Sequence, residues 1–562
     1  MKSLSRLAIA AAAAYAMLPG PGVASRAASE KAPVVNAPAG SVKGLHEGDA
    51  NVFRAIPYAL PPIGERRWRP PAPMPRWQGV RAAQTRGVAC IQPPMAPGPY
   101  DRGKVPMAED CLTLDVTAPA HARHAPVMIW IHGGTLIWGS GHSEMYDGRE
   151  FARRGVVLVS INYRLGVLGY LAHPELSKES PEGISGNYGL LDQIQALRWV
   201  RHNIAAFGGD PRNVTIFGES AGALSVEYLL ASPRARGSFD KAIIESGYLF
   251  TMPELRSKRG EEFPAEAIGA WLAGKLNAPS LAALRAMDAR KLVEAAAATG
   301  YVPYGTIDGR ILPRQLVDIF DRGEQAPVPL IAGFNSGEIR SLRFLAPPVP
   351  PSRDAYVEGI RAHYRDLADD YLRLYPAGGD LEQDGLDSTR DAVFGWTAER
   401  LVRKQTAIGQ PAFLYYFSHS YPSADAAGLA GFHASEVPFV FGTIAATPPA
   451  WPAIPDNAAE RRLSAAMLDY WTGFARDGKP ASASGPEWRV FGAGSAFMNF
   501  ADAPRASAGF MPGMYRLHEE VMCRRRADGT QSWNWRTGSA APVLPPPVPG
   551  CAPRPASTKQ GS

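Results

Sequence analysis

Residues 214–231 constrain this fold more than any other part of the chain. A short apolar run, 214–217, reads as a buried strand; it breaks at once into Gly218-Glu219-Ser220-Ala221-Gly222, and 221–231 then reads as a helix. A strand that turns into a helix over Gly-x-Ser-x-Gly projects the serine side chain from the sheet edge. The flanking residues pass so near other backbone that a Cβ at Gly218 or Gly222 would collide. The following helix aims free N–H groups and a positive dipole end at the same point. Gly-x-Ser-x-Gly also arises by chance in Gly-rich chains, so the surrounding segments decide its meaning.

Those segments alternate between strand and helix. Residues 127–131 form a continuous apolar run, followed by His132-Gly133-Gly134-Thr135 and Gly139-Ser140-Gly141. Such a loop can point backbone N–H groups into a cavity; it lacks the Gly-Lys-Ser/Thr ending of a phosphate-binding loop. Residues 156–162, 241–244, 328–334 and 413–417 read as further strands. Residues 192–207 read as a helix with Ile194, Leu197, Val200 and Ile204 on one face, stopped by Gly208-Gly209. Residues 109–116 alternate like a half-buried strand, 458–476 read as an amphipathic helix, and 254–300 and 352–410 are helical and Ala-rich. This order predicts an α/β fold with a large, mostly parallel sheet covered on both faces.

The chain begins with a leader-like segment over residues 1–28: Lys2 and Arg6, an apolar stretch over 7–18, then the small-residue site Val23-Ala24-Ser25. The apolar stretch is too short to anchor in a bilayer, and no later segment is long and apolar enough to span one. The expectation is an exported protein, secreted or periplasmic, without a membrane span. Cys90, Cys111, Cys523 and Cys551 suit that compartment; nearest-neighbour pairing is one of three connectivities, and closing a loop of this size stabilises by about 3 kcal/mol. The eleven histidines include no His-x-x-x-His or His-Glu-x-x-His, and there is no Cys-x-x-Cys, so no metal site is expected. A formal charge of +6, scattered along 562 residues, argues against nucleic acid as a partner.

An ordered series of motifs resembles the type B carboxylesterases, the branch of the α/β-hydrolases that includes bacterial p-nitrobenzyl esterases and cholinesterases. It runs from Phe53-x-x-Ile56-Pro57-Tyr58-Ala59 through Glu109-Asp110-Cys111-Leu112, Asn162-Tyr163-Arg164, Gly186-Asn187-x-Gly189-x-x-Asp192-Gln193 and the Ser220 segment. It continues through Asp308-Gly309, Gly333-x-Asn335-x-x-Glu338, His433-x-x-Glu436 and Tyr470-Trp471-x-x-Phe474-Ala475. The resemblance covers about residues 35–500. It implies an α/β-hydrolase fold in one catalytic domain, 29–540, with helical insertions over an active-site gorge and a Pro-rich tail, 541–562, ordered only where Cys551 ties it back.

The resemblance also implies roles. Ser220 matches the nucleophile, Glu338 the acid and His433 the base, in the chain order Ser…Glu…His; His419 is a rival base. The backbone N–H groups of Gly134, Thr135 and Ala221 match the oxyanion hole. The family usually has a third glycine where Thr135 stands. The amide donor survives, but a stiff β-branched side chain works against the bulky alcohol groups that the three-glycine loop is associated with accepting. Glu219, Ser246 and Glu436 match buried polar support around the histidine, and Trp138 and Phe394 are candidates for the substrate pocket. Cys90 to Cys111 resembles the disulfide loop at the gorge mouth; it holds no Trp, only Tyr100, which argues against choline esters.

The function implied is serine carboxylesterase action on small-molecule esters with no cofactor. The alternatives are a lipase, a specialised hydrolase of a natural-product ester, polyester or amide, and a non-catalytic binding module on the same fold.

Overall fold

Among the residues described by the computed structural model, 32–533 and 536–551, eleven strands join into one sheet. The leader expected over residues 1–28 lies outside them. In chain order the strands are β1 (Leu45–Glu47), β2 (Ala50–Pro57), β3 (Thr113–Pro119), β4 (Ala125–Ile131), β5 (Val157–Ile161), β6 (Gly209–Glu219), β7 (Lys241–Glu245), β8 (Leu330–Asn335), β9 (Ala412–Phe417), β10 (Ala496–Phe500) and β11 (Pro504–Ala508). Across the sheet they run β1-β2-β3-β5-β4-β6-β7-β8-β9-β10-β11. Neighbours from β5 through β10 pair parallel, and β1, β2, β3 and β11 add antiparallel edges.

Both faces of the parallel strands are buried. Val127, Ile129 and Ile131 of β4 enter one core and Met128 and Trp130 the other. This is why the strands read as unbroken apolar runs rather than as alternation. Helices Tyr188–Asn203, Ala221–Ala231 and Trp396–Ala407 cover the first face. The second is covered by Val437–Phe441 and by Ala458–Asp477, whose Met467, Trp471 and Phe474 point inward.

Several boundaries differ from the sequence expectation. The helix expected from residue 192 begins at Tyr188; Gly189, a poor helix former that hides this start in the sequence, is required where a Cβ would lie 2.6 Å from the Arg164 carbonyl oxygen. Its last turn, Ile204–Phe207, is 3-10, ended by Gly208 at φ 85°. The strand expected over 109–116 is displaced to Thr113–Pro119, since Cys111 is held in a disulfide. The hairpin of β10 and β11 at the sheet edge carried no clear apolar signal and was not anticipated.

The tail is a correction. Its first residues, 541–545, are packed rather than the segment being tied only at Cys551. Ala541 and Leu544 are buried among Tyr356, Ile360, Tyr364 and Tyr371, and the Leu544 N–H donates to the His363 carbonyl at 2.8 Å. Burial of apolar side chains, not the disulfide alone, holds this segment.

Candidate active site

Strand β6 ends at Glu219, and Ser220 turns the chain into the helix Ala221–Ala231 with φ 57° and ψ −122°. A non-glycine residue in this region costs about 1–3 kcal/mol and persists only where its surroundings dictate it. Here the Ser220 N–H donates to the Glu245 carbonyl of β7 at 2.9 Å, and the Ser220 carbonyl accepts from the Leu224 N–H at 2.9 Å. A Cβ on Gly218 would lie 2.6 Å from the Gly222 carbonyl carbon, and one on Gly222 would lie 2.0 Å from the Ile131 oxygen. Both glycines are therefore demanded by close backbone approach.

Glu338 opens a short helical turn after β8, and its carboxylate is fully engaged. Oε1 accepts from the Ser246 hydroxyl at 2.6 Å and the Asn335 N–H at 2.8 Å; Oε2 faces Nδ1 of His433 at 2.5 Å. The imidazole packs against Phe394, ring centroids 5.3 Å apart, and edge-on to Tyr100 at 6.4 Å. The Tyr100 hydroxyl donates to the His433 carbonyl at 2.8 Å and lies 2.7 Å from the Ser341 hydroxyl. His433 Nε2 lies 3.0 Å from Oε1 of Glu219, the residue preceding Ser220. No hydrogen bond joins Ser220 Oγ to His433 in this arrangement. His419 is engaged elsewhere, between Glu460 at 2.7 Å and Asp502 at 3.3 Å.

Glu219, Glu245 and Glu436 near the imidazole are buried, which favours their neutral forms. Burial raises Glu219 well above the usual carboxylate range, reinforced by the nearby Glu338 and Glu245 charges. Burial, then Glu219, Glu245 and Glu338, does the same to Glu436, which accepts a hydrogen bond from the Asn335 amide. Glu245 is pushed up to about 8 by burial, against the opposing effect of the Trp471 indole N–H that it accepts at 2.7 Å.

The loop after β4 lies against the serine: a Cβ on Gly133 would be 3.2 Å from Ser220 Cβ. Gly134 and Thr135 have φ 105° and 54°, and the Thr135 hydroxyl donates to the Gly134 carbonyl at 2.8 Å. Among the described residues none of the Gly134, Thr135 and Ala221 N–H groups has a protein acceptor. The Trp138 indole is tied back to the Pro93 carbonyl at 3.0 Å, and Gln92 bonds the Gly139 backbone in both directions. The glycine loop is thus clamped to the segment between Cys90 and Cys111, which are disulfide-bonded, as are Cys523 and Cys551. Sequence reasoning missed the roles of Tyr100, Asn335 and Glu245. Tyr100 carried a signal as the single aromatic of the disulfide loop, and Asn335 as a member of the motif ending at Glu338; Glu245 carried none.

A family model described as the carboxylesterase family matches residues 31–510. The chain belongs to the carboxylesterase family. It is a carboxylic ester hydrolase of the serine type on the α/β-hydrolase fold. This carboxylesterase is 35% identical over 478 residues to the fumonisin B1 esterase of Sphingopyxis macrogoltabida, covering 82% of this chain and 85% of that one. It is 34% identical over 465 residues to the para-nitrobenzyl esterase of Bacillus subtilis, covering 80% and 91%. Among solved structures, the carboxylesterase EST55 of Geobacillus stearothermophilus superposes with a TM-score of 0.73 at 32% identity, covering 84% of this chain and 97% of that one. Among the described residues no helix is long and apolar enough to cross a membrane.

Proposed function

We propose that this carboxylesterase works through an acyl-enzyme on Ser220, with His433 as base and Glu338 as the acid that holds it. The observation that carries this reading is the contact of His433 Nδ1 with a Glu338 carboxylate already held by Ser246 and Asn335, beside the elbow serine. That contact keeps the proton on Nδ1 and the lone pair on Nε2, the form able to take a proton from a serine hydroxyl.

Glu219 sits 3.0 Å from Nε2. Were it ionised, it would hold a proton on the ring and disable the base. Its burial and its neighbours favour its neutral form. When an ester enters, Ser220 Oγ attacks the carbonyl carbon and its proton passes to Nε2. The oxyanion is received by the free N–H groups of Gly134, Thr135 and Ala221. His433 returns the proton to the departing alcohol, leaving an acyl ester on Ser220. Water, deprotonated by the same nitrogen, attacks that ester, and the acid leaves as Ser220 regains its proton. A nucleophile–base hydrogen bond that is loose in the free enzyme and tightens with substrate is usual for such sites.

The leader-like residues 1–28 and the two disulfides support export to a secreted or periplasmic location. One sheet built from strands between residues 45 and 508 supports a single catalytic domain over 29–540. Simple carboxylic esters are the substrate class we assign. The 35% identity to a fumonisin B1 esterase favours, as a second reading, a specialised ester of natural-product type.

The test is hydrolysis of p-nitrophenyl esters from acetate to palmitate, with Ser220→Ala beside the unaltered protein. Short-chain preference lost in the variant is the expected result. A long-chain preference would indicate a lipase. Inactivity with a phosphonate still labelling Ser220 would favour the specialised hydrolase, and inertness to the phosphonate would leave a binding module. Equal activity in both proteins would remove Ser220 from the mechanism.

A further inference from the structure

Arg525 is a buried cation for which the described residues supply no anion. It lies on the helix Met514–Asp528 and is 3% exposed. Its sequence neighbours are paired: Arg524 with Asp366 and Glu520, Arg526 with Asp318 and Asp321. Among the described residues Arg525 has only the Arg536 carbonyl, 3.3 Å from one terminal nitrogen, and its Nε has no acceptor.

That guanidinium lines a cavity of about 20 Å³, with Leu249, Val393, Trp396, His518 and Trp533 among its walls. The Trp533 indole N–H is also buried there without an acceptor among the described residues. Arg536 adds a second positive charge at the wall, and its own carboxylate, Glu261, lies 3.7 Å from it on an exposed pair. Carboxylates on flanking elements are committed: Asp391 to Arg390, and Glu519 to Arg400 and Trp396. The Thr537 hydroxyl is paired with Thr389, and Tyr364 accepts from the Gly538 N–H. His518 is 3.1 Å from the Tyr375 hydroxyl, and burial holds it uncharged, down to about 3.

Two unpaired buried donors and an uncompensated charge are each costly. A water molecule could accept the N–H groups but would leave the charge in place; a bound anion meets both demands with charge-assisted hydrogen bonds. The volume has room for one water- or halide-sized occupant. We propose that this cavity is a binding site for a single chloride-class anion, held by Arg525 Nε and Trp533 Nε1. The site is separate from the ester-cleaving centre. The π-helical turn Asp391–Gly395 joins the two, giving Val393 to the cavity and Phe394 to His433.

The experiment is thermal unfolding of the full chain in sodium chloride against sodium gluconate at equal ionic strength, with crystals of the unaltered protein grown in sodium bromide. A chloride-specific rise in Tm of about 1 °C for each tenfold excess over the dissociation constant is expected from linkage. It should vanish in Arg525→Met and weaken in Trp533→Phe, which removes only the N–H. An anomalous bromide peak touching the Arg525 guanidinium is expected. If the Arg525 variant does not fold, the peak and the unaltered protein's chloride response decide the matter. Identical melting in both salts, a chloride response that persists without Arg525, or density that scatters as water would overturn the proposal.

Discussion

Oε1 of Glu219 lies 3.0 Å from Nε2 of His433, while Nδ1 on the other side of the ring faces Glu338 at 2.5 Å. Two carboxyl groups bracket one imidazole: Glu338 is held by donors from Ser246 and Asn335, whereas burial and the neighbouring Glu338 and Glu245 charges favour the neutral form of Glu219. Glu219→Gln, which preserves shape and neutrality, should therefore keep kcat/KM within about tenfold at neutral pH. A loss of a thousandfold would mean that Glu219 acts as an anion. Steady-state kinetics across pH 6–9 make the comparison.

Glu245 offers a pH prediction with a definite sign. Its folded-state pKa, about 8, exceeds the ordinary carboxyl value of 4.5, so the folded protein holds a proton that the unfolded chain releases. The stabilisation is complete below pH 4.5 and declines as pH rises from there to 8. Glu245→Gln should flatten the stability curve in that window by up to about 1.4 kcal/mol per pH unit, since one proton is removed from the linkage. Urea denaturation at several pH values reads this slope; an unchanged slope would place the ionised form of Glu245 in the folded protein.

Thr135 carries a β-branched side chain at φ 54°, a conformation that costs about 1–2 kcal/mol without glycine. Thr135→Gly relieves that strain but adds freedom to the unfolded chain, so the net stability change should stay within about 1 kcal/mol. The same change removes bulk beside the oxyanion site. Hydrolysis of branched-alcohol esters should rise at least severalfold relative to ethyl esters, as competition assays would reveal. A fall in both activities would mean that the Thr135 side chain positions the loop.

Tyr100 acts on His433 through the backbone. Tyr100→Phe deletes the hydrogen bond to the His433 carbonyl and the contact with Ser341 but keeps the ring against the imidazole. Loss of one such bond corresponds to about 1 kcal/mol, so kcat should fall by about fivefold with KM little altered. A matching loss of Tm without any change in kcat would assign Tyr100 to stability alone.

The parallel strands and the Ser220 elbow were legible from residue order, because their causes are local. A strand buried on both faces must be apolar throughout, and a strand-to-helix turn against neighbouring backbone must carry glycine at Gly218 and Gly222. The motif series proposed Glu338 and His433 as partners of Ser220; Glu338 sits just beyond strand β8, whereas His433 lies in the loop region well after β9.

Tertiary structure alone decided which polar atoms meet. Tyr100 and His433 are 333 residues apart in sequence, and Ser246 and Glu338 are 92 apart. Nothing in either local sequence encodes such a meeting. The same holds for Glu219, whose side chain could have faced solvent but turns to Nε2, and for Arg525, whose paired neighbours conceal that it has no carboxylate among the described residues. Periodicity records which face of an element is apolar. It does not record which buried donor finds an acceptor, because that depends on where distant segments pack, and on this depends the charge each buried group carries.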